Sequence, residues 1–221
     1  MPDNLDISSN CSSASPAESA NRPEIIQPKS PGKITFLKEF IRSPKNIGAI
    51  APSSMKLAQA IVKHSGVAQA SNILEFGAGT GVFTQVILRD KKPDANFIAI
   101  EHNDSLSEML RQRFPDTTVV ADSVENVGRI MRQHNMDKSD CIVCGLPWTA
   151  FSPEKQNRLI MSAISALAPG GTFATFAYWP LLFLPAGIRF RKMLYNLFTR
   201  VEISPVIWKN LPPAIVYRCV R

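Results

Sequence analysis

Three glycines set two apart, in the run Glu75, Phe76, Gly77, Ala78, Gly79, Thr80, Gly81, are the first residues whose spacing implies chemistry. They follow the apolar run NILEF and open a stretch with helical spacing, so a strand passes there into a helix. Glycine lets the backbone turn sharply and approach a ligand that a Cβ would push away. Twenty residues past Gly81, Glu101 closes NFIAIE, and Asp122 follows TTVVA. A carboxylate at the first place can accept two hydrogen bonds from ribose hydroxyls; one at the second can hold the amino group of adenine. A dinucleotide fingerprint would put its third glycine at position 82, where Val82 stands. Three signals at consecutive strand ends, where open α/β sheets bind ligands, point to an adenosyl ligand of another kind. The set taken together is Glu75, Gly77, Ala78, Gly79, Gly81, Glu101, His102, Asp122, Ser123 and Gly145, with Glu75 read as an orienting or structural acid.

A second group follows the run CIVCG: Gly145, Leu146, Pro147, Trp148. Gly145 brings no side chain to the end of its strand, so an acceptor there is gripped by backbone carbonyls near Gly145 and Leu146. Trp148, Phe151, Tyr178 and Trp179 are candidate walls, since an aromatic face attracts an alkylammonium by about 0.5–2 kcal/mol. Core packing or loop anchoring is the plainer role for Phe151 and Trp179. Tyr178 or Glu75 is nearest by topology as a candidate general base. Gly145, Leu146, Trp148 and Tyr178 form the catalytic set. No metal is expected: Cys141 and Cys144 lie three apart on a strand and face opposite sides, and His64, His102 and His134 lack ligand spacing.

These residues need a frame. Short runs at 72–76, 96–101, 117–121, 141–145 and 172–178 read as strands, and between them lie apolar positions at helical spacing, such as Leu159, Ile160, Ala163, Ile164 and Leu167. Such alternation makes a parallel sheet covered on both faces. At the carboxyl end VEISPVIW (201–208) and AIVYRCV (214–220) are separated by five residues, too few for a parallel crossover, so they pair antiparallel. The expectation is an α/β, doubly wound, seven-stranded, mostly parallel sheet with an antiparallel last strand. A chain of 221 residues suits one such domain.

Residues 1–32, rich in Ser, Pro and Asn with no aromatic before Phe36, are expected to be a disordered tail, and 33–221 the folded domain. Between Arg158 and Arg189 nothing is charged, yet Pro169, Gly170, Gly171, Pro180 and Pro185 cut the stretch too short for a membrane-spanning helix. Scattered cysteines and the lack of a signal-peptide pattern fit a reducing cytoplasm. The net charge is +7, and from Ala186 onward seven basic residues face one acid, Glu202. That asymmetry suggests an anionic partner. Ile34, Leu37, Phe40 and Ile41 at helical spacing, beside Lys33, Lys38 and Arg42, form a short basic amphipathic helix at 33–43, suited to a bilayer interface. Arg189, Arg191 and Lys192, beside the apolar loop PLLFLPAG, repeat the pattern and could hold a lipid phosphate.

EFGAGTG with Glu101 and Asp122 resembles the class I S-adenosyl-L-methionine-dependent methyltransferases, whose sheet carries a reversed last strand. IGAIAPSS (47–54), GLPW (145–148), PGGTFATFAY (169–178) and WKNLPPAIVYR (208–218) resemble the bacterial phospholipid N-methyltransferase group, related to ribosomal RNA adenine dimethyltransferases. The resemblance implies a Rossmann-like fold, S-adenosyl-L-methionine as cofactor, and N-methylation of phosphatidylethanolamine or a related amino lipid. It also implies peripheral attachment to an anionic inner membrane face, with the chain expected to be a monomer. Phe40, Ile41, Lys38, Arg42, Arg189, Arg191 and Lys192 are the residues for that contact. Enzymes acting on a base amine often place Asn or Asp where Gly145 stands, so nucleic-acid adenine methylation is the disfavoured alternative. A non-catalytic cofactor-binding membrane module is the third.

Overall fold

The structure, a computed structural model, describes residues 54–221. The expected tail at 1–32 and helix at 33–43, with Lys38, Phe40, Ile41 and Arg42, lie outside the described residues. Strands and helices alternate as α1 (Met55–Ser65), β1 (Asn72–Phe76), α2 (Val82–Asp90), β2 (Asn96–Glu101), α3 (Asp104–Arg113), β3 (Thr118–Ala121), α4 (Val127–Gln133), β4 (Ser139–Cys144), α5 (Pro153–Ala166), β5 (Leu167–Tyr178), α6 (Pro185–Leu197), β6 (Arg200–Ile203) and β7 (Ala214–Val220). One seven-stranded sheet has the order β3-β2-β1-β4-β5-β7-β6. The strands β1 to β5 pair in parallel, and β7 runs antiparallel between β5 and β6. The expected doubly wound sheet with a reversed last strand is the observed one.

Helix starts follow the local chemistry. Ser54 accepts from the N–H of Leu57 at the head of α1, and Ser152 from that of Lys155 at the head of α5, where Pro153 takes the first turn. Gly81 offers α2 no side-chain cap. Its first turn is served from below: the Glu75 carboxylate on β1 accepts the Thr84 hydroxyl at 2.7 Å.

Alternating side chains of β1, β2 and β4 divide two apolar layers. Ile73, Phe97, Ala99, Cys141 and Val143 face α1 and α2; Leu74, Phe76, Ile98, Ile100, Ile142 and Cys144 face α4, α5 and α6. Each Leu, Ile, Val or Phe among them, when fully buried, contributes about 1.5–3 kcal/mol. Cys141 and Cys144 thus lie on opposite faces, and burial pushes both thiols up to about 12.

Two boundaries differ from the sequence pattern. Leu167, expected in the helix, already belongs to β5, which makes its first turn through Gly170 at positive φ and slips register between Ser139 and Cys141. β6 ends at Ile203 rather than at 208. The Ser204 hydroxyl takes the N–H of Val216 at 2.9 Å in place of a backbone carbonyl, and Pro205 has no N–H to continue the ladder. The chain rejoins β7 only by a bridge from Ile207 to Ala214.

Candidate active site

The carboxyl ends of β1, β2, β3, β4 and β5 share one edge, and a cleft of about 320 Å³ opens along it. Its floor is the glycine turn after β1. Gly77, Gly79 and Gly81 all have positive φ, at 72°, 56° and 81°, which other residues adopt only with strain. The loop is tied down on three sides. Gly77 N–H donates to the Ile100 carbonyl at 2.9 Å, Gly79 N–H to Glu101 Oε2 at 2.8 Å, and the Arg113 guanidinium to the Thr80 carbonyl at 2.8 Å. Glu101 Oε1 also accepts the N–H of Asn103 at 2.9 Å. One carboxylate thereby fixes both the loop and the approach to α3, with a second lone pair on each oxygen left for a ligand.

Asp122 lies past the end of β3 and lines the cleft with Ser123 and His102. Its Oδ1 accepts from Asn126 at 2.8 Å and from the Ser123 N–H at 2.7 Å, and Arg129 pairs with Oδ2. The hydrogen bond from Asn126 is the main cause holding this carboxyl below the usual range, so it is an anion at neutral pH.

Glu75 is fully buried and does not line the cleft. Desolvation raises its pKa to about 8, and Oε1 has no hydrogen-bond partner among the described residues. The group stands beneath α2, away from any position where it could take a proton from an acceptor.

At the end of β4, the N–H of Gly145 donates to the Phe76 carbonyl at 2.8 Å. A Cβ on Gly145 would stand 2.6 Å from the Gly77 carbonyl oxygen and 3.4 Å from the Phe83 ring. The missing side chain is therefore a steric requirement: the two loops touch where an amide would sit. Leu146, Pro147, Phe151, Phe176 and Tyr178 give this end of the cleft apolar walls. Burial pushes the Tyr178 phenol up to about 12, so it stays protonated at neutral pH, contrary to a general-base role.

Trp148 departs from its expected place. It is buried, stacks on Phe190 at 4.4 Å between centroids, and donates its indole N–H to Thr175 Oγ1 at 2.8 Å. It fronts a small apolar side cavity of about 30 Å³, shared with Leu146, Tyr178 and Leu181, instead of the cofactor cleft. Trp179 points outward against Phe183 and Trp208. Phe151, expected as an anchor, does line the cleft, as does Lys155, which pairs with Glu125 at 3.0 Å.

Arg189, Arg191 and Lys192 are exposed on α6, with Arg191 over the Tyr195 ring at 5.8 Å. Sequence reasoning missed Arg113, Asn126, Arg129 and Lys155, which reach the site only through the fold. Asn103 was missed as well, although Asn followed by Asp104 marks the start of α3, where its side chain accepts from Leu106 N–H. Among the described residues no group of side chains could hold a metal ion, and no helix is long and apolar enough to cross a membrane.

The reversed strand, the glycine turn and the two strand-end carboxylates define a class, and comparisons with known proteins agree. The methyltransferase domain family matches residues 73–171. The chain belongs to the class I S-adenosyl-L-methionine-dependent methyltransferases, and that molecule is its methyl donor. It is 33% identical over 187 residues to the ornithine lipid N-methyltransferase of Singulisphaera acidiphila, covering 83% of this chain and 93% of that one. It is 26% identical over 119 residues to the ribosomal RNA small subunit methyltransferase A of Thermotoga maritima, covering 53% of this chain and 40% of that one. Among solved structures, the O-methyltransferase TomG of Streptomyces achromogenes, in complex with the donor, shares the fold with a TM-score of 0.57 at 18% identity, over 87% of this chain and 92% of that one.

Proposed function

We propose that this enzyme methylates the aliphatic amine of an amino lipid, such as phosphatidylethanolamine or an ornithine lipid, at a membrane surface. The observation that carries the reading is the contact of Gly145 with the Gly77 carbonyl, which leaves no room for a side chain to grip a flat base amine. The relative of matching length that acts on an amino lipid supports it.

The residues present fit the donor. The Glu101 carboxylate keeps acceptor capacity for two ribose hydroxyls, Asp122 suits an adenine amino group, and the turn at Gly77 to Gly79 lets backbone approach the ligand. When bound, S-adenosyl-L-methionine supplies an electrophilic methyl carbon on a sulfonium. The chain's part is to present a neutral nitrogen in line. An alkylamine has an unperturbed pKa of roughly 10.4 and is mostly protonated in water. Apolar walls at Leu146, Pro147, Phe151 and Phe176 disfavour the charged form, and the backbone at Gly145, which lines the cleft beside them, offers a carbonyl to orient the remaining N–H bonds. Orientation and desolvation then carry the rate, and the Tyr178 ring bounds a pocket that tolerates added methyl groups.

The test is incubation with methyl-labelled donor and, separately, phosphatidylethanolamine, ornithine lipid and ribosomal RNA, followed by chromatography. Label is expected in an amino lipid. Label in RNA alone, or in neither lipid, overturns the reading.

A further inference from the structure

The carboxyl edge of the sheet also carries a surface that the cleft does not use. β5 ends at Tyr178, which pairs with Ala214 at the start of β7, so the turn at Trp179–Phe183 and the loop before Ala214 emerge side by side. Trp179 N–H donates to the Pro213 carbonyl at 2.7 Å, and buried Asn210 holds the loop by donating to the Pro212 carbonyl at 2.6 Å. α6 presses on the same turn at Gly187, where a Cβ would collide with the Leu181 carbonyl.

Three aromatic rings crown this junction. Trp179 lies 5.7 Å from Phe183 and 6.5 Å from Trp208 between centroids. Phe183 is 68% exposed and Trp208 70%, far more than the other large apolar side chains among the described residues. Leu184, Ile188 and Leu211 on the adjoining segments are exposed as well. A patch of this kind on a soluble domain marks a surface that meets something apolar. Lys209 adjoins Trp208, and Arg189 and Lys192 follow Ile188 on α6. From Lys155 to Arg221 the one acid is Glu202 on the edge strand, and it is engaged by Arg200 and Arg218; just before that stretch Glu154 faces Arg189, which leaves Arg191, Lys192 and Lys209 as the basic groups nearest the patch in sequence. Tryptophan and phenylalanine adjoined by basic side chains in excess of acids match the chemistry of a bilayer interface with anionic headgroups.

We propose that Trp179, Phe183 and Trp208, with Leu184, Ile188 and Leu211, dock the enzyme on an anionic lipid bilayer. The inference rests on the amino-lipid reading and deepens it by naming the face that meets the membrane. The apolar surface continues inward: Leu181 and Leu182 of the same turn line the small side cavity, which shares Leu146 and Tyr178 with the cofactor cleft. An amino lipid rising from the bilayer would meet apolar wall along that path.

The test uses the full chain, wild type and the double variant Phe183→Asp with Trp208→Asp, in sedimentation with phosphatidylglycerol vesicles. Donor titration in solution and methylation of detergent-dispersed amino lipid run in parallel. The double variant should lose vesicle binding by roughly tenfold or more, because it replaces apolar insertion by like-charge repulsion, while donor affinity stays within about twofold. Met161→Asp, at an exposed site on α5, should leave binding unchanged. Lys209→Glu with Lys192→Glu should weaken binding in the same direction and make it less sensitive to salt.

Retained binding in the Phe183 and Trp208 variant, or equal loss in Met161→Asp, overturns the docking face while leaving lipid methylation in detergent intact. So does a wild-type dimer that the same substitutions dissociate, for then a second copy covers the patch. If vesicle binding follows the patch but no amino lipid is methylated, the substrate reading falls and the docking face stands.

Discussion

The carboxyl edge of the sheet has two halves built on different interactions. Over β1, β2 and β3 the cleft is held by hydrogen bonds: Glu101 ties Gly79 to Asn103, Arg113 clasps Thr80, and Asp122 is fixed by Asn126, Ser123 and Arg129. Over β4, β5 and β7 the surroundings are apolar and shaped by close approach, with Gly145 against Gly77, Gly187 against Leu181, and Trp148 packed on Phe190. Polar groups fixed in advance suit a ligand with many donors and acceptors at set places. An apolar pocket defined by close packing selects by size and flexibility and tolerates a nitrogen whose substituents change.

The sharpest way to break the contrast is Gly145→Asn. It gives the apolar half the amide used on base amines, but its Cβ would stand 2.6 Å from the Gly77 carbonyl oxygen and push the glycine turn out of place. Methyl transfer should fall more than about a hundredfold, with donor affinity and thermal stability both reduced, since overpacking costs about 1–3 kcal/mol. Transfer that survives with normal donor affinity would show that the two loops are not so tightly set.

Glu101→Ala attacks the polar half alone. It strips a carboxylate from two backbone N–H groups and from the ribose position, at about 1.5–3 kcal/mol for each charge-assisted bond. Calorimetric donor affinity should drop by roughly a hundredfold, while vesicle binding does not change.

A third measurement uses pH. The folded-state pKa of Glu75 is raised from 4.5 to about 8, so the folded protein holds a proton that the unfolded chain releases. This group's contribution is full below about pH 4.5 and is lost as pH rises toward 8, with a slope of up to about 1.4 kcal/mol per pH unit. Glu75→Gln should flatten that slope in denaturant titrations between the two values. An unchanged slope would mean that other groups set it.

The gentlest probe is Trp148→Phe. It removes the indole bond to Thr175 and leaves the ring stack, so stability should fall by about 1 kcal/mol and donor affinity should not move. A large loss of donor affinity would return Trp148 to the cleft wall.

The two halves were unequally legible in the sequence. The glycine turn and its carboxylates were visible because the three signals fall together at consecutive strand ends, where singly each acid would serve as well to cap a helix, and the alternation of strands and helices supplied their order. Gly145 was visible only as a missing side chain; the reason for it, a carbonyl from a loop 68 residues earlier, is a contact no local pattern records. Trp148 and Phe151 exchanged expected places because a short turn at 148–150 rotates one ring inward and the other toward the cleft. Arg113 reaches Thr80 from the far end of a helix, and spacing along the chain carries no trace of that reach.

The indole of Trp148 has a further use. Its N–H points at a threonine hydroxyl that in turn donates to the Cys144 carbonyl, so its deuterium uptake requires the buried indole to leave Thr175. The chain has two other tryptophans, Trp179 at 37% exposure and Trp208 at 70%. The three indole resonances therefore separate into one slow-exchanging reporter of the packing around Trp148 and two fast ones. Collisional quenchers would reach the pair and spare the third, giving an unlabelled spectroscopic readout of core integrity and surface contact in one sample.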